Sequence, residues 1–119
     1  MTDLLKFIDE KKSNFAKFLE NIHIPGKNGQ SEFNTKLNDY ISQIRGSTPE
    51  LFSYYIKEKI GEYLTEKERE EENKRRSEHL QVYVIKKLEE IGIKHSDLYE
   101  EDFNKFVEYL EMFIFLLKE

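Results

Sequence analysis

A run of fifteen residues without an apolar side chain, 65–79, is the feature that most constrains how this chain folds. It lies between two segments whose apolar residues recur at helical spacing, and neither glycine nor proline occurs between Gly61 and Gly92. Residues 49–91 can therefore form one helix of 43 residues, which would be about 65 Å long. A compact domain of this size is only about 35 Å across. Such a helix would overhang its own core and need a second chain beside it, as in a coiled coil.

Two other structures remain open for the charged stretch. Thr65 and Glu68 have the spacing of a capping box, which would start a new, shorter helix at Thr65. The stretch could also be a disordered loop. The continuous or gently bent helix is favoured because Glu, Lys and Arg are good helix formers. Three pairs of opposite charge at a spacing of four would add about 1–1.5 kcal/mol to it: Glu70–Lys74, Glu71–Arg75 and Glu72–Arg76.

The whole sequence predicts one all-α domain, 1–119, a helical bundle with a long charged central helix. No segment alternates apolar and polar residues with a period of two, so no strand is expected. Apolar positions at helical spacing predict five helices: 3–22, 32–45, 49–64, 65–91 and 97–118.

Capping residues support these limits. Thr2 and Ser31 are expected as N-caps of the first two helices. Thr48 followed by Pro49 predicts a further helix start, because proline is favoured at the first helical position. Gly46 is expected to end the second helix in the left-handed conformation.

Composition excludes several functional classes. The chain has no cysteine, so disulfides, thiolate catalysis and cysteine-ligated metal centres are excluded. Its longest apolar run, 112–117, is far shorter than the stretch of roughly 20 residues that spans a bilayer. Acidic residues stand near the start, where a secretion signal would be basic, so a cytoplasmic location is expected. The net charge of −5 disfavours general binding to phosphate backbones.

Residues that could perform catalysis do not converge along the sequence. His79 follows a basic cluster and is interpreted as an exposed helix-face residue, whereas His23 and His95 lie near helix ends. None has a serine or carboxylate at a spacing that suggests catalysis. Four acids at the start of the last helix match the preference of carboxylates for helix N-termini: Asp97, Glu100, Glu101 and Asp102. We therefore expect no enzymatic activity, no metal and no other cofactor.

Two surfaces are predicted to bind partners. The first is the charged stretch, and the residues expected to contact another protein there are Arg69, Lys74, Arg75, Arg76 and His79. The second is the last helix, which is apolar almost all round near its end. Four residues lie off its main apolar stripe: Tyr109, Met112, Phe115 and Leu116. Either the first helix covers this second side or another copy of the chain does.

These features favour a non-enzymatic protein–protein interaction module, such as an adaptor, accessory subunit or inhibitor, acting as a homodimer. The partner's identity is not encoded in any motif, and no membrane contact is expected. The alternative is a nucleic-acid-binding regulator. In a dimer, two copies of the Lys74–Arg76 cluster would come together and offset the acidic total.

Overall fold

Five α-helices surround one apolar core in the computed structural model, which describes residues 2–22 and 31–117 and the side chains of 3–22 and 35–117. Helices α1 and α2 span Thr2–Glu20 and Ser31–Gly46. Helix α3 joins three consecutive segments, Pro49–Tyr55, a π-helical stretch Ile56–Gly61, and Glu62–Glu70. Helices α4 and α5 span Arg76–Glu90 and Glu100–Leu117, and a 3₁₀ turn, His95–Asp97, precedes α5. The described residues contain no strand, so the all-α prediction is confirmed.

The predicted continuous helix over 49–91 does not form, because the chain turns back at 71–75. Glu71 leaves the helical conformation with φ −133° and ψ 74°. The longest extent of the molecule is 42 Å, whereas the continuous helix would need about 65 Å. The turn lets Leu64 and Leu80 enter the same core. Burial of one leucine contributes about 1.5–3 kcal/mol, so several such residues outweigh the ion pairs that a straight helix would gain.

The alternative break at Thr65 is also not observed. The helix passes through Thr65, whose hydroxyl donates a hydrogen bond to the Gly61 carbonyl at 2.9 Å. A side chain used in this way does not cap a new helix. The three ion pairs predicted at a spacing of four do not form either, since each would need an unbroken helix across 71–75.

The π-helical stretch explains an unusual spacing in α3. Phe52, Ile56, Ile60 and Leu64 follow one another at intervals of four, and all are buried. In an α-helix of 3.6 residues per turn, this spacing drifts by about 40° at each step. A π-helical turn is wider, because its hydrogen bonds link residues five apart. It therefore turns less per residue and brings the drifting side chains back towards the core.

Helix α2 ends against a buried lysine. Lys12 interrupts the apolar stripe of α1 and is only 4% exposed. Its ammonium group donates hydrogen bonds to the carbonyls of Arg45, at 3.5 Å, and Ser47, and it lies 3.5 Å from the Asp9 carboxylate. A cation at a helix C-terminus satisfies free carbonyls and the negative end of the dipole. The prediction of a left-handed Gly46 is wrong, because Gly46 remains helical and Lys12 caps α2 instead.

Gly92 is the left-handed glycine of the described chain, with φ 84°. The Gly92 amide donates to the Glu89 carbonyl at 3.0 Å, and the Ile93 amide donates to the Leu88 carbonyl at 2.9 Å. Leu88 and Ile93 are both buried. This is the Schellman arrangement of a helix C-terminus, and it ends α4.

Helix α3 begins at an N-cap that the sequence predicted. Thr48 accepts a hydrogen bond from the Leu51 amide at 3.1 Å, with Pro49 at the first helical position. This confirms the predicted start of α3. The side chains of Thr2 and Ser31, the loop 23–30 and residue 118 lie outside the described residues.

Aromatic contacts establish how α1 and α5 are oriented. Among the described residues, the Phe15 ring contacts those of Phe106, Tyr109 and Phe113 at 5.4, 5.2 and 5.8 Å, whereas the Phe18 ring contacts those of Phe106 and Tyr109 and not that of Phe113. A step towards the start of α1 is therefore a step towards the end of α5. The two helices are antiparallel, and the beginning of α1 lies at the same end of the molecule as the end of α5.

Candidate functional site

The predicted charged surface lies on the turn between α3 and α4, where cations are paired with carboxylates. Lys74 lies 3.5 Å from Glu71, and Arg75 lies 3.9 Å from Glu78. Both basic side chains are exposed. The cluster is therefore not a block of uncompensated positive charge, which is what attraction to a phosphate backbone requires.

Arg69 and Arg76 differ from these two in position. The Arg76 guanidinium donates to the Glu68 carboxylate at 3.0 Å and so links α4 to α3. Arg69 is exposed and makes no ion pair within the part of the chain that the structure describes. Both arginines line a single groove.

His79 does not belong to the exposed surface on which it was predicted. Its side chain is only 2% exposed, and its Nε2 atom is buried without a hydrogen-bond partner among the described residues. The turn at 71–75 is the cause, since it lays the first turns of α4 against the core. A buried imidazole cannot contact a partner protein without unfolding of α4.

The groove runs along the π-helical stretch of α3 and the end of α5, and it has a volume of about 670 Å³. Its apolar lining comes from Ile56 and Leu64 on one side and Ile114 and Leu117 on the other. Its remaining lining residues are polar, charged or glycine: Lys57, Gly61, Glu62, Thr65, Glu66, Arg69 and Arg76. Arg69 and Arg76 of the predicted charged surface therefore line a groove beside the end of α5, whereas none of the four residues predicted for self-association lines it.

The four residues predicted for self-association are not equally accessible. Phe115 is 77% exposed, the highest value among large apolar side chains of the described chain. Met112 and Leu116 are half-buried against the core. Tyr109 is packed within the monomer, with its ring 5.2 Å from that of Phe15 and 5.4 Å from that of Phe18. Helix α1 therefore covers the Tyr109 side of α5 and leaves Phe115 uncovered.

Further apolar side chains are exposed at this end of the molecule. Leu4 and Phe7 of α1 are both partly exposed. Because α1 and α5 are antiparallel, they lie at the same end as Phe115. Ile114 and Leu117, which line the groove, stand beside Phe115 in the last turns of α5, and we call the combination of groove and Phe115 the α5-end site.

No motif in the sequence marked the groove. In a regular α-helix Ile56, Ile60 and Leu64 would spread over about 80°, which an ordinary apolar stripe accommodates, so their spacing did not reveal the wide turn that shapes the groove wall. Lys57 and Ile56 were therefore missed as lining residues.

A second concavity, of about 390 Å³, is lined by tyrosines and lysines of α3 and α4. The Tyr55 and Tyr83 hydroxyls are hydrogen-bonded at 3.1 Å, and burial raises the pKa of the Tyr83 phenol. The Lys86 ammonium lies 5.6 Å from the centre of the Tyr63 ring. Lys87 is paired with Glu90 at 3.4 Å. The Tyr63 hydroxyl differs from these groups, because it is buried and has no hydrogen-bond partner among the described residues.

A third cavity, of about 340 Å³, lies between α1, α2, α4 and α5 and has a largely apolar lining that includes Leu19, Leu37 and Phe106. This cavity adjoins Ile22, the last described residue after α1.

The described residues form neither a metal site nor a membrane span. In these ranges no group of three or more histidines and carboxylates is close enough to hold a metal ion. None of the helices found there is both long and apolar enough to cross a bilayer. The acids predicted at the start of α5 are in its first turn or just before it, where they interact favourably with the helix N-terminus. His23 lies outside the described residues.

Comparison with known proteins identifies no relative of this chain. No family model matches the sequence, and neither a curated protein nor a solved structure matches it. What the α5-end site does is therefore inferred from its own residues.

Proposed function

We propose that this chain is a non-enzymatic protein–protein interaction module that self-associates as a homodimer through the end of α5. The observation that carries the proposal is the 77% exposure of Phe115. Burial of a phenylalanine side chain contributes about 1.5–3 kcal/mol. A symmetric dimer gains this contribution twice, once from each copy.

The surroundings of Phe115 support a protein surface as its partner. Met112 and Leu116, half-buried on the same helix, add apolar area next to Phe115. Clustered apolar side chains bordered by charged residues are typical of protein–protein contacts. Aromatic residues are also enriched at the energetic centre of such contacts.

The alternative predicted from the sequence, nucleic-acid binding through the Lys74–Arg76 cluster, has less support. Each cation of that cluster has a carboxylate within 4 Å: Lys74–Glu71, Arg75–Glu78 and Arg76–Glu68. Phosphate binding would first have to break these pairs. A mobility-shift assay at low salt, where electrostatic contacts are strongest, tests this alternative directly.

Sedimentation velocity of the purified chain over about 10 μM to 1 mM tests the proposal. We expect the mass to rise towards twice that of the chain, and Phe115→Ser to shift the transition to at least tenfold higher concentration. Tyr99→Ser is the matched control, because Tyr99 is an exposed aromatic residue just before the other end of α5, about 24 Å away. A wild-type chain that stays monomeric at about 1 mM would contradict the proposal.

A further inference from the structure

We infer that the groove of the α5-end site binds the end of α5 from a second copy, so that Phe115 of each copy inserts into the groove of the other. This inference rests on the proposed self-association and specifies its geometry. It requires three properties of the site: an apolar lining, a complementary charge, and a position that permits twofold symmetry.

The lining of the groove suits an aromatic ring. Ile56, Leu64, Ile114 and Leu117 form the apolar floor of the groove, and each is at most 8% exposed. The volume of about 670 Å³ lies within the range of about 300–1,000 Å³ that is typical of cavities for molecules larger than one phenyl ring. Phe115 cannot fill the groove of its own chain, since it is 77% exposed while its neighbour Ile114 is buried.

The charges next to the ring and next to the groove are complementary. Glu111 lies one helical turn before Phe115, about 6 Å along α5, and makes no ion pair with the described residues. Arg69 lines the groove and also lacks an ion pair in that part of the chain. Other groups face the same groove: Lys57 and Arg76 add cations, and Glu62 and Glu66 add carboxylates. Because Arg69 has no carboxylate within ion-pair distance, it is the expected partner of Glu111.

The position of the site is compatible with a closed dimer. Groove and Phe115 lie at the same end of α5, because Ile114 and Leu117 line the groove and flank Phe115 in sequence. A twofold axis close to this end relates each phenylalanine to the other copy's groove. Such an interface uses the same patch on both copies and does not propagate into a filament.

Charge exchange between two variants tests the pairing. In a homodimer of Arg69→Glu, the introduced carboxylate would face the Glu111 carboxylate of the other copy. In a homodimer of Glu111→Arg, the introduced guanidinium would face the Arg69 guanidinium of the other copy. We expect each single variant to dimerise at least tenfold more weakly than the wild type in sedimentation velocity. An equimolar mixture allows a heterodimer in which the introduced arginine of one chain meets the introduced carboxylate of the other. We expect the mixture to dimerise within about threefold of the wild type.

Controls separate this inference from the proposed function. Circular dichroism and thermal unfolding establish that each variant is folded, and Lys94→Glu, a reversal of an exposed cation before the other end of α5, is expected to leave dimerisation unchanged. If the wild type dimerises and Phe115→Ser weakens it, but the mixture of charge variants shows no recovery, the pairing is overturned and the self-association stands. If the wild type remains monomeric, both are overturned.

Discussion

The hydroxyl of Tyr55 on α3 lies 3.1 Å from the hydroxyl of Tyr83 on α4. This hydrogen bond joins the two helices that the charged stretch connects. The ring of Tyr63 packs against that of Tyr83 with 5.3 Å between centroids. Burial is the main cause that raises the pKa of the Tyr83 and Tyr63 phenols above the ordinary value of 10.0. Burial has the same effect on the pKa of Tyr40.

These raised pKa values predict a loss of stability in alkali. A phenol whose pKa is higher in the folded state contributes its full stability below the pKa of the unfolded chain, about 10. As the pH rises above that value, the unfolded chain loses protons that the folded chain retains. We expect the urea midpoint to be steady from about pH 7 to about pH 9 and to fall above about pH 10. The urea midpoint of Tyr83→Phe should fall less steeply with pH than that of the wild type. An equal slope for the two proteins would contradict this account.

Lys12 is expected to stabilise the fold through the end of α2. Lys12→Met keeps much of the side-chain volume but leaves the carbonyls of Arg45 and Ser47 without their donor. We expect the free energy of unfolding to fall by about 1–3 kcal/mol in chemical denaturation. Lys6→Met, at an exposed position of the same helix, should change it by less than about 0.5 kcal/mol. Equal effects of the two substitutions would show that Lys12 does not act as a cap.

Two glycines form a matched pair for testing backbone conformation. Gly92→Ala forces a side chain into the left-handed region and should cost about 1–2 kcal/mol. Gly46→Ala should cost nothing and could gain up to about 1 kcal/mol, since Gly46 is helical and the added methyl group would meet no atom within 4 Å. Thermal unfolding of both variants measures the difference. Destabilisation by Gly46→Ala would contradict the helical conformation of Gly46 and favour the left-handed one.

The buried imidazole of His79 is expected to add little to stability. Its Nε2 atom has no partner among the described residues, and an unsatisfied buried polar atom costs about 1–3 kcal/mol. His79→Leu should therefore leave the free energy of unfolding unchanged or raise it by up to about 2 kcal/mol. Leu80→Ala, which opens a cavity at the adjacent position, should lower it by about 2–5 kcal/mol. A large loss in His79→Leu would indicate a partner for the imidazole.

Local sequence patterns correctly predicted helix limits and core residues where capping residues and apolar spacing determine them. Thr48 and Pro49 correctly marked the start of α3, and the apolar periodicity identified the core residues of α5. The turn at 71–75 could not be predicted in the same way, since it contains neither glycine nor proline. The turn forms because Leu64 and Leu80 can enter the same core only if the chain reverses direction between them. That is a tertiary effect, and it also buried His79.

The candidate site shows the same division. Phe115 could be singled out from its angle on the helical wheel, because helix geometry places it away from the main stripe. Tyr109 also lies off that stripe but is covered by Phe15 and Phe18. Which flank of α5 is covered depends on the packing direction of α1. The spacing within either helix carries no information about that direction.

The wide turn at 56–61 holds one residue more than a regular α-helix would need to connect the same two segments of α3. Because the stretch turns less per residue, it falls behind a regular α-helix by roughly the 100° that one residue contributes. Deleting one residue within the turn would allow regular i to i−4 hydrogen bonds and would leave Leu64 and Arg69 facing nearly the same directions. A deletion in the regular segments on either side has no such compensation and would rotate one wall of the groove away from the other.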